Sequence, residues 1–476
     1  MNSNSSAARL RPLFAAQHLA SRAQIEVPVA LRRDRLLRMQ VLLDKNATAL
    51  AQAVQADFGV RSPQLTEIAD LFVLRSLLSQ ALKSLPKWMK PVKVRTPLYL
   101  QPSCAYLQRQ PLGVVGVVSP WNYPLQLSLG PVITALAAGN RVMLKPSELT
   151  PKTSAMLCEL IADAYAPDEL CVVLGEGQNE FELANEFFSL PFDHLFFTGS
   201  SAVGRIVASA AALNLTPTTL ELGGKSPCLI DASCDLESAA LKIAHGKLLN
   251  AGQTCIAPDY VLLPKGMEAA FGEAFAKAVA RLFPTIAGNP DYAAIISERH
   301  HKRLQAMLAE AEGEGARLQV INPGATLASN ASRQMAPTLV FDAPDNAILL
   351  NEEIFGPILP VLPYDTLDQA IEYVNARPRP LALYWFGTNT VARDQVLART
   401  VSGGVTVNDT LTHIAHRNLP FGGVGDSGWG AYHGEAGFLR LSHQKPVLIQ
   451  SKWARGDLLY PPYGERCERV MRFFRV

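Results

Sequence analysis

The seven cysteines of this 476-residue chain include no C-x-x-C pair, and no cysteine–histidine group has the spacing of a zinc site. They are odd in number and scattered, at Cys104, Cys158, Cys171, Cys228, Cys234, Cys255 and Cys467. A disulfide framework is not indicated, and a reducing compartment is the simplest reading. An excess of one charge is missing too. Lys+Arg at 44 against Asp+Glu at 42 leave a formal net charge of +2, too balanced for nucleic acid or an anionic membrane as the main partner. No apolar run approaches the roughly 18 to 20 residues of a membrane span. Leu13–Ala20, interrupted by Gln17 and His18, is too short and too polar for a signal sequence. Internal repeats are absent, and low complexity is confined to a Ser/Asn patch at the N-terminus. The expectation is a cytoplasmic globular protein.

What is present favours a large, well-buried enzyme. Hydrophobic residues make up 48% and charged residues 18%, and the length exceeds what one core usually supports. Leu36, Leu43, Ala47, Leu50 and Val54 share one helical face, and Phe58-Gly59 closes that helix. A second helix is expected from about Thr66 to Leu85, stopping before Pro86. From Pro111 the pattern becomes strand and helix in alternation. Leu112–Pro120, Arg141–Lys145, Leu170–Leu174 and His194–Thr198 read as buried strands, the first because it is continuously apolar and β-branched.

Such alternation implies βαβ units and a parallel sheet suited to a dinucleotide. It resumes at Ser226–Ile230 and Asp259–Leu263, continues with a helix at Met267–Leu282, and ends with strands at Ile358–Leu362, Ala382–Phe386 and Val405–Asn408. The expected fold is α/β: a Rossmann-like parallel-sheet cofactor domain from 1–95 and 111–224, and a second α/β catalytic domain at 225–410. Segments 96–110 and 430–450 are expected to form a small oligomerisation arm.

Four local patterns carry chemistry. Asn250-Ala-Gly-Gln-Thr-Cys255 offers a cysteine after a permissive turn, although a lone intracellular cysteine is more often a small buried hydrophobe. In Thr219–Pro227 the carboxylate of Glu221 stands between Leu220 and Leu222, which would raise its pKa towards a general base's range; a strand-end Glu facing solvent is the plainer reading. Pro120-Trp-Asn-Tyr-Pro124 follows the first strand, so Asn122 either offers its amide to an oxyanion or bonds its own turn. Lys145 and Glu148 follow the second strand, where such groups bind ribose hydroxyls or simply form a solvated turn.

Phe196–Arg205 runs from strand to helix through Gly199, Ser200 and Gly204, the context of a pyrophosphate site. Its spacing is G-x-x-x-x-G, not G-x-G-x-x-G. Asn351–Pro357 and Leu419–Gly425 combine an aromatic with Gly and Pro, as pocket-lining loops do.

Taken in order, PWNYP, KPSE, FTGS, ELGGKSP, GQTC, EEIFGP and PFGG resemble the aldehyde dehydrogenase superfamily over nearly the whole chain. Asn408-Asp-Thr, His413, Gly434, Phe438, Ser442-His443 and Leu459–Tyr463 are similar to the class 3 branch, whose members include the bacterial coniferyl aldehyde dehydrogenases. The resemblance implies oxidation of an aldehyde to an acid, with Cys255 as nucleophile, Glu221 as the base that activates water, and Asn122 in the oxyanion hole. It implies that Trp121, Lys145, Glu148, Gly199, Ser200, Gly204, Glu353 and Phe355 hold the cofactor, NAD with NADP also open. It implies no metal, a small aromatic or else fatty aldehyde as substrate, and a homodimer.

Overall fold

The structure, a computed structural model, describes residues 7–175, 180–324 and 332–474. Its strands are β1 (Val92–Val94), β2 (Ser103–Pro111), β3 (Val114–Val118), β4 (Arg141–Lys145), β5 (Leu170–Val172), β6 (His194–Gly199), β7 (Thr218–Leu222), β8 (Pro227–Ile230), β9 (Tyr260–Pro264), β10 (Arg317–Val320), β11 (Thr338–Phe341), β12 (Ile358–Tyr364), β13 (Ala382–Phe386), β14 (Gly404–Val407), β15 (Gly428–Trp429) and β16 (Ser442–Gln450). Among the described residues they form three sheets, ordered β15-β7-β6-β3-β4-β5, β10-β11-β12-β9-β8-β13-β14 and β1-β2-β16.

The first two sheets are parallel except at β15 and β10, which pair antiparallel at their edges. Every residue of β3, β4 and β13 is buried. Helices cover both faces of such a sheet, so its strands are apolar through their middles instead of alternating, with charge in β4 only at its end residues Arg141 and Lys145. The chain leaves β3 towards β4 and β5, then returns to the other side of β3 for β6 and β7. That reversal opens a crevice beyond the carboxyl ends of β3 and β6, the usual ligand position in an open α/β sheet. β7 passes into the second sheet's β8 through only Gly223–Ser226, which sets Glu221 at the junction of the two.

Three local expectations differ from what is observed. The helix expected to stop before Pro86 runs Phe72–Trp88 and contains it. Proline frees the carbonyl four residues back, and here that carbonyl, on Leu82, accepts from Arg33 Nη1 at 3.2 Å. Residues 218–222, not assigned as a strand from the sequence, form β7 in the sheet interior. The 430–450 segment divides. Tyr432, Phe438 and Leu441 are buried in the core, with the Gly434–Arg440 helix against the Gln126–Ala138 helix, and only β16 is an arm strand. β16 pairs with β2 along its whole length, from Ser442 opposite Pro111 to Gln450 opposite Ser103, while β1, from the segment before residue 96, completes the arm.

Candidate active site

The turn that presents Cys255 is strained and tightly held. After the Leu236–Leu248 helix, Asn250, Ala251 and Gly252 all adopt positive φ, at 52°, 54° and 78°. Two non-glycine residues in that region cost energy, and the surroundings must over-determine them. Asn250 Nδ2 donates to the carbonyls of Asn122 (3.0 Å) and Gln253 (3.3 Å). Gln253 Nε2 donates to Asn250 and Ala294, and its Oε1 accepts from the Ile296 N–H. Only glycine fits at 252, because a Cβ there would lie 2.3 Å from the Gly356 carbonyl oxygen.

So held, Cys255 Sγ lies 3.6 Å from Glu221 Oε1. Thr198, opposite Glu221 in the β6–β7 register, donates to its other oxygen at 3.2 Å. Burial raises the Glu221 carboxyl from 4.5 to about 7, against the opposing pull of the Thr198 and Cys255 bonds. Burial, then the carboxylates of Glu221 and Glu353, push the Cys255 thiol well above its ordinary value. The thiol therefore does not ionise by itself near neutrality. It needs a base, and the nearest carboxylate has its pKa in the working range.

Asn122 sits beside the same turn. One amide N–H donates to the Gln253 carbonyl at 3.2 Å, and a primary amide has a second N–H to give. A fully buried ion pair braces both loops from below. Arg61 bonds Asp70 at 2.8 Å, the Asn122 carbonyl at 2.6 Å and Asn250 Oδ1 at 3.3 Å. Asp70 in turn accepts from the N–H of Gln126 at the head of the Gln126–Ala138 helix. Sequence reading missed both residues, and no local signal marks them.

Glu353 reaches this centre across the sheet junction. A Cβ on Gly223 would meet its carboxylate at 2.2 Å, so the glycine is what admits it. Burial, and then Asp259, raise the Glu353 carboxyl to about 8, while Lys225 and Arg303 lower it. Lys225 pairs with Asp259 and donates to the carbonyls of Leu349 (2.7 Å) and Glu352 (3.0 Å). Phe355, at positive φ, has its ring 5.4 Å from Trp121. Lys247, also missed from sequence, is fully buried with no hydrogen-bond partner on its Nζ among the described residues, and burial lowers it to about 8.

A cleft of about 910 Å³ opens beyond the carboxyl ends of β3, β4 and β6. It brings together Trp121, Lys145, Glu148, Gly199 and Ser200. Ser200 caps the Ser201–Leu213 helix, accepting from Val203 N, so the orphan N–H groups of that helix start lie beside the cleft. Lys145, buried, pairs with Glu180 at 3.4 Å and Glu148 at 3.9 Å. A long cleft with a helix N-terminus and an ammonium–carboxylate group suits a dinucleotide. Gly204 is not in this lining; a Cβ there would lie 2.7 Å from Leu222 Cδ2, so its small size lets the helix pack on β7.

The model of the aldehyde dehydrogenase family matches residues 3–447. A coniferyl aldehyde dehydrogenase of a Pseudomonas species is 48% identical, over 91% of this chain and 90% of that protein. Aldehyde dehydrogenase family 3 member A2 of Pongo abelii is 40% identical, over 94% of this chain and 90% of that protein. The solved structure of substrate-bound AldH from Staphylococcus aureus superposes with a TM-score of 0.92 at 34% identity, covering 98% of this chain and 99% of that one. Among the described residues no helix is long and apolar enough to cross a membrane. The chain belongs to the aldehyde dehydrogenase family.

Proposed function

We propose that this enzyme oxidises an aromatic aldehyde of the coniferyl type to its carboxylic acid, with NAD as cofactor and NADP also accepted, through a thioester on Cys255. The observation that carries the reading is the 3.6 Å approach of the Cys255 thiol to a buried Glu221. Glu221 takes the thiol proton, and the thiolate adds to the aldehyde carbon. The resulting oxyanion accepts from the free N–H of Asn122 and from the Cys255 backbone N–H. When bound, the nicotinamide supplies the two-electron acceptor that turns this thiohemiacetal into a thioester. Glu221, having released the thiol proton to solvent, takes a proton from water as the water attacks the thioester carbon. The C–S bond breaks, the acid leaves, and Glu221 returns the proton to the Cys255 thiolate.

Trp121, Lys145, Glu148, Gly199 and Ser200 would hold the cofactor's adenosine and phosphate parts, with Glu353 and Phe355 at the nicotinamide end. Gly204 contributes by close helix packing. An aromatic substrate is supported by the names of the coniferyl relatives. The same reading makes the arm sheet the contact of a homodimer and gives the enzyme a cytoplasmic location.

The test is absorbance of the reduced cofactor with NAD and NADP across cinnamyl, benzyl and long aliphatic aldehydes. Fastest turnover on the cinnamyl group supports the proposal. Preference for long aliphatic aldehydes would reassign the substrate, and no turnover on any of them would overturn it.

A further inference from the structure

The cleft holds one carboxylate that the roles above leave unused. Glu180 opens the Glu180–Phe188 helix and lines the cleft with Lys145 and Glu148. Its Oε2 lies 3.4 Å from Lys145 Nζ, nearer than Glu148 Oε2 at 3.9 Å. Lys145 is the buried member, with 5% side-chain exposure, while Glu148 remains 50% exposed. The ammonium is thus engaged mainly by Glu180, and Glu148 keeps its acceptor oxygens for a ligand.

Glu180 keeps 35% side-chain exposure, and its carboxylate lies over Gly175. A Cβ on Gly175 would lie 2.1 Å from Glu180 Oε1, so the carboxylate rests against bare backbone on its way to Lys145. Carboxylates in a first helical turn also favour the helix dipole, but that role is served by Glu182 as well and requires no contact with Lys145.

We infer that Glu180 is a cofactor-specificity residue, which neutralises Lys145 so that the ribose site favours a free 2′-hydroxyl over a 2′-phosphate. The charges give the sign. Lys145, Glu148 and Glu180 together carry one net negative charge, which repels a phosphate dianion and leaves a carboxylate to accept from ribose hydroxyls. Without Glu180 the sum is zero, Lys145 turns to Glu148, and the site loses its preference. The inference rests on the cofactor reading above.

The test is calorimetric titration of the intact enzyme with NAD and with NADP, without aldehyde, for the parent, Glu180→Gln, Gly175→Ala and Glu148→Gln. The parent is expected to bind NAD more tightly. Glu180→Gln should reduce the ratio of the two affinities by about tenfold, as expected for one partly screened carboxylate facing a dianion. Gly175→Ala should do the same without altering charge, by displacing the carboxylate. If both variants keep the parental ratio while Glu148→Gln changes it, the inference fails and the cofactor reading stands. Equal loss of both cofactors in the Glu180 and Gly175 variants would also overturn it, since a merely structural role predicts that. A parent that binds neither cofactor would overturn the cofactor reading itself.

Discussion

Replacing Glu221 by glutamine should stabilise the protein above neutral pH while removing its catalytic base. The magnitude follows from burial. Moving the carboxyl from 4.5 to about 7 corresponds to about 3 kcal/mol, at roughly 1.4 kcal/mol per tenfold change. Because Glu221 is 1% exposed, solvent screening does not shrink that figure much. The folded state holds the proton more tightly than the unfolded state does, so between about 4.5 and 7 it carries more bound protons. Stability of the parent therefore falls as pH rises through that window. Glutamine is neutral throughout and keeps an oxygen for Thr198.

The assay is thermal melting of both proteins at pH 5 and pH 8, at one scan rate because long chains unfold irreversibly. The variant's advantage should be small at pH 5 and amount to a few degrees at pH 8. In parallel, the parental rate should rise with pH through about 7 as Glu221 ionises, and that limb should vanish from whatever rate the variant retains. A melting difference that is the same at both pH values would refute burial as the origin of the displaced carboxyl.

Cys255→Ala should abolish both dehydrogenase turnover and hydrolysis of activated esters while NAD still binds, as calorimetry would register; residual turnover would move the nucleophile elsewhere. Asn122→Ala should lower kcat by about 10²–10³-fold, the usual cost of one oxyanion donor, with little change in cofactor affinity; a change confined to KM would remove Asn122 from the oxyanion site. Lys247→Met should abolish a rise of stability with pH. The buried amine, lowered from 10.5 to about 8, binds fewer protons folded than unfolded between those values, so parental stability should climb by about 3 kcal/mol across that window. Melting curves from pH 7.5 to 10.5 would reveal the climb in the parent and its absence in the variant.

The sheets were legible in the sequence because a parallel strand buried on both faces must be continuously apolar, and β3 and β13 are. Boundaries were less so. Pro86 signals a helix end only if nothing takes over the carbonyl it frees, and the partner that does so, Arg33, is 49 residues from Leu82. Gly204 stands in the right strand–turn–helix context for a phosphate, yet the same absence of a side chain serves helix packing against Leu222. Context alone does not separate those uses. Arg61 and Asp70 were invisible for a similar reason: Arg61 acts on Asn122 and Asn250, 61 and 189 residues away.

The motif residues themselves were visible, but the property that makes them reactive was not. Glu221 between two leucines suggests an apolar setting; only the position of β7 in the sheet interior makes it a carboxyl with a pKa of about 7. Glu353 reaches about 8 because Gly223 admits it into the buried sheet junction, where Asp259, a residue on another loop, adds to the rise. Each of these groups, with Lys247, is held away from its ordinary ionisation mainly by burial. Solvent-exposed positions would relieve all three, so their gathering around one strained turn is not what stability alone would select. Burial of this kind is a property of the assembled sheets, and it converts a common Gly-Gln-Thr-Cys turn into a site where a thiol and its base are poised together.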